Sequence, residues 1–370
     1  MSNNREYGIL LHPTSLTGKY GIGELGQEAY NFIDFLSRSG QTLWQTLPLG
    51  PIGYGESPYQ SYSAFAGNPL LISLDKLKEQ GLLEARDLYE APSFPEEEVA
   101  YDLVIGFKDK ALRKAFANFE QQLQALKGEA TGLKDKKIIK LNSGFALFLE
   151  ENQIWLDKFS LFMALKKHFN GAAWNYWDQQ IAFREQEAVS HYQKLLTNEV
   201  RYQAFLQYIF YTQWQELHAY ATGKGVKIIG DLPIFVSYDS SDAWANPELF
   251  QLDLNGNPLK VAGVPPDYFS ETGQLWGNPH YNWQLMKEQD YSWWRERLTA
   301  LLTYVDIVRI DHFRGFEAYW EIPGEEKTAV NGRWVKGPGA HFFATMEKHL
   351  GQLPIIAEDL GIITPEVVAL

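Results

Sequence analysis

Of the 46 acidic residues in the sequence, most must be solvated surface groups, because carboxylates are almost never buried unless paired. Three stand apart by position. Asp231, Asp311 and Glu358 lie at the ends of the short apolar runs Val226–Leu232, Tyr304–Asp311 and Leu353–Glu358. A carboxylate at the end of a buried strand needs a partner or a job, since burying it unpaired is costly. In Val308-Arg309-Ile310-Asp311 the alternation of a strand points Arg309 and Asp311 the same way. The guanidinium is then expected to hold Asp311 ionised, as a nucleophile requires. Glu358 closes the next strand in sequence, and consecutive strands are usually neighbours. Two carboxylates flanking one bond are the minimum equipment for glycoside cleavage, one as nucleophile and one as proton donor. A charged Asp311 nearby would keep Glu358 protonated. Asp359 should face away, as should His312, which adjoins Asp311. A structural ion pair of Arg309 with Asp311 stands as the alternative reading of the same spacing.

Other chemistries find less support. The sequence has no cysteine, which removes disulfides, thiolate nucleophiles and cysteine-based zinc sites. The eight histidines form no H-x-x-x-H pair, and no G-x-S-x-G is present. The segment after the first apolar run, HPTSLTGKYGIG, lacks both G-x-G-x-x-G and a phosphate-loop lysine. A net charge of −13 opposes nucleic acid and anionic membranes as partners. The 12 Trp, 20 Tyr and 22 Phe suit a large core and equally suit a sugar site, where flat C–H faces pack on rings. The polar segment Met1–Tyr7 has no signal-peptide h-region, and no uncharged run nears the ~18 apolar residues of a membrane span. A cytoplasmic location is the expectation.

The elements that must position these carboxylates follow from periodicity. Tyr7–Leu11 and Thr42–Leu47 read as strands ending near proline, with an amphipathic helix, Leu25–Leu36, between them and Gly40 as its cap. Strand, helix, strand implies a parallel sheet. Residues 108–127, 159–169 and 178–222 carry helical spacing, so 75–225 is expected to be a helical insertion, with an exposed turn at Gly128–Lys137. Strand signal resumes at Val226–Leu232, Tyr304–Asp311 and Leu353–Glu358, and Leu285–Leu302 reads as one helix. The expected division is 1–74 for strands one and two, 75–225 for the insertion, and 226–370 for strands three to five with a long loop at 263–281. A (β/α)8 barrel is preferred over an open doubly wound sheet, with the chain covering about the first five strands.

Taken together, several long segments resemble the amylomaltases, the 4-α-glucanotransferases related to plant disproportionating enzyme. They are GILLHPTSL (8–16), WQTLPLGP (44–51), GYGESPYQSYSAFAGNP (53–69), FMALKKHFNGAAWNYW (162–177), GDLPIFV (230–236), GVPPDYFSETGQLWGNPHY (263–281), VRIDHFRG (308–315) and IIAEDLG (355–361). The resemblance implies a (β/α)8 barrel of the α-amylase group and a retaining mechanism. It implies that Asp311 is the nucleophile and Glu358 the acid and base, that Arg309 orients Asp311, and that Asp231 hydrogen-bonds a sugar. It implies starch, glycogen and maltose metabolism, with maltooligosaccharides and α-1,4-glucans as partners. Neither cofactor nor metal is expected, because carboxylates supply all the acid, base and nucleophile chemistry. An amylase-like hydrolase and a non-catalytic glucan-binding barrel are the competing readings.

Segment 263–278 reads as a long irregular loop carrying Tyr268, Phe269, Gln274 and Trp276, and long loops of this kind are often lids. A transferase must keep water from its glycosyl-enzyme, and an aromatic flap would do so. Tyr54, Ser57, Tyr59 and His312 complete the expected glucan-binding set. The family's third carboxylate, in a T-H-D type motif, is not found in the 370 residues. Thr364-Pro365-Glu366 reads as a helix start. The natural protein is therefore expected to continue past Leu370, and the 1–370 piece made alone to be inactive.

Overall fold

The computed structural model describes residues 5–128, 136–361 and 363–370, and for residues 54, 126–128 and 136–139 only the backbone. The chain forms two compact units, each assembled from separated segments. One contains Met1–Pro51, Ala66–Ala164 and Gln193–Lys227; the other contains Ile52–Phe65, Leu165–Tyr192 and Ile228–Leu370. Nine strands are described: β1 Gly8–Leu10, β2 Leu43–Gln45, β3 Lys227–Pro233, β4 Lys260–Val264, β5 Gln274–Pro279, β6 Ile307–Asp311, β7 Ala318–Pro323, β8 Arg333–Lys336 and β9 Ile355–Ala357.

In the first unit β1 and β2 pair in parallel, joined by the helix Gln27–Arg38, whose buried face is Ala29, Ile33 and Leu36. Gly40 follows that helix with φ +72°, the left-handed conformation that glycine adopts at no steric cost. The rest of this unit is helical and is built around Thr197–Gly223, which is buried almost continuously from Tyr202 to Tyr211. Two buried glutamines of that helix act as substitutes for a neighbouring strand. Gln207 exchanges two hydrogen bonds with the backbone of Gly67 (2.8 and 3.0 Å). Gln213 does the same with Ser73 (2.7 and 3.2 Å), so four backbone groups and both side-chain amides are satisfied in the interior. The expected helical stretch is present as Tyr101–Gly128, Lys136–Glu151, Gln153–His168, Gln179–Ala182, Gln186–Leu195 and Thr197–Gly223. It is shared between the units, with Leu165–Tyr192 in the second. The turn expected at Gly128–Lys137 lies largely outside the described residues.

In the second unit β3, β6 and β9 form a parallel arrangement with β6 in the middle. Gly230 sits where β3 passes the side chain of Val305, which a Cβ would meet at 2.8 Å. Two expectations fail here. Leu285–Leu302 is not one helix but two, Trp283–Glu288 and Ser292–Leu302, because Asp290 and Tyr291 between them both take positive φ. Segment 263–278 is not an irregular loop. Its flanks are β4 and β5, an antiparallel pair with Val264 opposite Gln274, so only 265–273 forms the tip. This hairpin belongs to a four-stranded antiparallel sheet in the order β5-β4-β7-β8. Its strands are short and interrupted by Gly263, Gly277 and two prolines, which hides the period-two alternation that marks a strand. The helix start at Thr364 is present, as Pro365–Ala369. No helix among the described residues is long and apolar enough to cross a membrane.

Candidate active site

The parallel register assembles the charged residues. Asp231 of β3 lies beside Arg309 of β6, and Pro233 beside Asp311. Ile310 lies beside Ala357, which brings Glu358 to the end of Asp311. Along β6, Val308 and Ile310 are buried while Arg309 and Asp311 are half-buried on the other face, as strand alternation requires.

Arg309 joins all three carboxylates. Its Nη1 donates to Oδ1 of Asp231 at 2.6 Å and to Oδ1 of Asp311 at 3.3 Å. Its Nη2 reaches Oε1 of Glu358 at 2.8 Å. The planar guanidinium suits this multiple grip in a way a lysine could not. Asp231 is fully buried at its side chain, and its second oxygen accepts from the Tyr59 hydroxyl at 2.7 Å. Both oxygens are therefore occupied by protein groups. In this arrangement Asp231 holds both Arg309 and Tyr59.

One cation among three carboxylates leaves an excess of negative charge. Burial first, then the charges of Asp231 and Glu358, raise the pKa of Asp311 to about 6, against the opposing pull of Arg309. Arg309 does contact Asp311, but its closest contacts go to Asp231 and Glu358, and Asp311 receives the longest. At neutral pH Asp311 is still mainly ionised. Burial also raises the pKa of Asp231, although its bonds to Tyr59 and Arg309 pull the other way. Arg309 is pushed further toward its charged form, the three carboxylates outweighing its burial. The Tyr59 hydroxyl is raised by burial and by Asp231.

His312 does not alternate away from the site. It takes φ +52° where β6 ends, and the residue lines the cleft described below. Its backbone N–H donates to Oε2 of Glu358 at 2.6 Å, and its ring stands edge-on to Trp276 at 4.9 Å. Burial, then the nearby charge of Arg314, lowers its pKa to about 4, so the ring is neutral at pH 7. Both oxygens of Glu358 accept hydrogen bonds in this state.

A cleft of about 480 Å³ opens beside this cluster. It is lined by Ser57, Tyr59, Trp276, Asp311 and His312, and by Phe235 and Asn278, which the sequence reading passed over. Asn278 is buried and donates to the Val236 carbonyl at 2.9 Å. Its place in the quoted 263–281 motif was the available signal. Ser57 Oγ accepts from the Tyr59 N–H at 3.3 Å. Gln274 is exposed, and its Oε1 accepts from Trp276 Nε1 at 3.1 Å, which orients that ring. Tyr54 is described by its backbone only, in the short turn Tyr54–Glu56. Tyr268 and Phe269 lie at the hairpin tip, 97% and 94% exposed, and contact one another edge-on at 5.7 Å.

These features define a mixed α/β protein with a carboxylate pair at the carboxyl ends of parallel strands, beside a cleft with aromatic walls. The chain belongs to the 4-alpha-glucanotransferase family, whose profile matches residues 11–370. It is 51% identical to the 4-alpha-glucanotransferase of Synechocystis sp. over 372 aligned residues, covering all of this chain and 71% of that protein. It is 50% identical to the 4-alpha-glucanotransferase of Thermus thermophilus, covering 99% of this chain and 70% of that protein. Among solved structures, it matches an amylomaltase from Streptococcus agalactiae in complex with acarbose. That match has a TM-score of 0.91 at 43% identity and covers 99% of this chain and 71% of that one. An amylomaltase from Corynebacterium glutamicum, 18% identical with a TM-score of 0.70, shares the fold.

Proposed function

We propose that this site cuts an α-1,4-glucan and transfers the severed segment to the 4-hydroxyl of an acceptor glucose or maltooligosaccharide, with retention of configuration. Asp311 attacks the anomeric carbon while Glu358 gives a proton to the departing glycosidic oxygen. A covalent glycosyl–Asp311 ester results. Glu358, now ionised, takes the proton of the acceptor hydroxyl as that oxygen attacks the same carbon and the ester bond breaks. The observation that carries this reading is the shared grip of Arg309 on Asp311 and Glu358. One guanidinium fixes the nucleophile and the acid relative to each other. The uncompensated negative charge around it favours the cationic, oxocarbenium-like transition state. Carboxylates supply the acid, the base and the nucleophile, so the chemistry calls for no metal or organic cofactor.

The five parallel strands fit the first part of a (β/α)8 barrel, with catalytic groups at the carboxyl ends of its strands. Residues 75–225 fit a helical insertion between its second and third strands. The cleft residues Ser57, Tyr59, Trp276 and His312 are proposed to contact glucan. Tyr268 and Phe269 are proposed as a flap that covers the glycosyl-enzyme until an acceptor arrives. Incubation of maltotriose with the full-length protein tests the reading. Transfer yields glucose together with longer maltooligosaccharides, whereas a hydrolase yields only shorter sugars, and a binding protein yields neither.

A further inference from the structure

The exposed tip 265–273 is tied to a second element. Its own bracing is local: Asp267 Oδ1 accepts from the N–H groups of Phe269 (2.9 Å) and Ser270 (2.8 Å), and Ser270 Oγ donates to the Gly273 carbonyl at 2.8 Å. None of these bonds fixes the tip to the body of the unit. That link is made by the connection between β7 and β8, residues 324–332. The Ala329 N–H donates to the Thr272 carbonyl at 3.0 Å. The Ala329 carbonyl accepts from Trp320 Nε1 at 2.9 Å. Ala329 is wholly buried and packs with Val261 and Ile322. Two glycines make the close approach feasible. A Cβ on Gly273 would meet Ala329 Cβ at 2.9 Å and the Val264 carbonyl oxygen at 2.4 Å, and one on Gly332 would meet Trp320 Nε1 at 2.2 Å.

We infer that Trp320, acting through Ala329 on Thr272, is a positioning residue that sets the height of the aromatic tip and thereby the ratio of transfer to hydrolysis. The inference rests on the transferase reading of the site. In both outcomes the same ester bond, from anomeric carbon to Asp311, is broken and the incoming O–H proton passes to Glu358; only the incoming oxygen differs, sugar hydroxyl or water. Trp320 touches neither carboxylate, so its effect must fall on that choice and not on ester formation. Trp320 has one polar atom, the indole N–H. Exchange for phenylalanine removes that donor, keeps a ring against Ile322 and Trp334, and frees the 324–332 connection to move.

The test compares W320F with the full-length wild type on maltotriose, with Val330→Ala, an exposed change on the same connection, as control. W320F should raise the share of hydrolysis about threefold or more and raise KM for acceptor glucose. The rate of ester formation and the pH profile should stay within about twofold of wild type. Chymotrypsin should also cleave at Tyr268 or Phe269 several-fold faster in W320F than in wild type or Val330→Ala. Unchanged product ratio and unchanged acceptor KM in a folded W320F overturn the proposal, as does an equal fall in every rate, which would mark a merely structural role. If the wild type itself makes no longer maltooligosaccharides, the transferase reading has failed. The chymotrypsin rates still decide whether Trp320 restrains the tip.

Discussion

The ends of β3, β6 and β9 and the tip of the β4–β5 hairpin, two parts of the same unit, are built by opposite physical means. At the strand ends every carboxylate is gripped: Asp231 by two donors, Glu358 by a guanidinium and a backbone N–H. The positions are fixed by a parallel register on both sides of β6. At the tip, two aromatic rings stand almost wholly in water, held by turn hydrogen bonds and by one backbone bond to Ala329. Bond-making chemistry needs groups fixed to a fraction of an ångström. Admission of one nucleophile and exclusion of another needs a surface that can move. On this account the first region sets the rate and the second sets the product.

The comparison breaks first if the strand-end groups prove dispensable. Asp311→Asn or Glu358→Gln should lower kcat by about three orders of magnitude or more with the fold intact, and circular dichroism beside product analysis reads both. Asp311→Asn should also leave the melting temperature unchanged or raise it by about 2–4 °C, since it removes a carboxylate from a crowd of like charges. Arg309→Ala comes next. With the cation that joins the three carboxylates gone, activity should fall about a hundredfold or more, and the acidic limb of the pH profile should move to higher pH.

That limb is itself a prediction. Asp311 must be ionised to attack, and its pKa is raised to about 6, so kcat/KM of the wild type should fall as pH drops through about 6. The sign for stability is the reverse. A carboxyl whose folded pKa lies above its unfolded value binds its proton more tightly when folded, so this group's contribution improves as pH falls from about 6 toward 4. Urea midpoints across that window, wild type against Asp311→Asn, isolate the difference. The smallest effect on rate and stability belongs to the tip. Replacing Tyr268 and Phe269 together by alanine should leave the melting temperature within about 1 °C, as expected for exposed positions, and kcat within a few-fold, while the share of hydrolysis rises.

The two regions also differ in how far the sequence discloses them. Asp231, Arg309, Asp311 and Glu358 were legible because each ends or alternates within an apolar run, and a buried run with a charge at its end admits few explanations. The bond from Tyr59 to Asp231 is not legible, since nothing in the segment of Asp231 announces that Tyr59, 172 residues away in sequence, will reach its second oxygen. His312 was placed on the wrong face because alternation assumes that the strand continues, whereas its positive φ ends it. The hairpin reads as a loop because a five-residue strand that includes Gly263, Lys260–Val264, has too few side chains to show a period. Its partners, Trp320 and Ala329, follow the quoted 263–281 motif by dozens of residues, and only the pairing of β4 with β7 brings them to the tip.

The central claim is that a glycosyl group passes through Asp311. The most direct measurement is mass spectrometry of the full-length protein after reaction with a 5-fluoro-α-glycosyl fluoride, which slows breakdown of the ester more than its formation. The account predicts one added glycosyl mass, on the peptide that contains Val308–Gly315 and localised to Asp311. An adduct on Glu358 or elsewhere, or an active protein that accumulates no adduct and releases the inverted anomer, would contradict it.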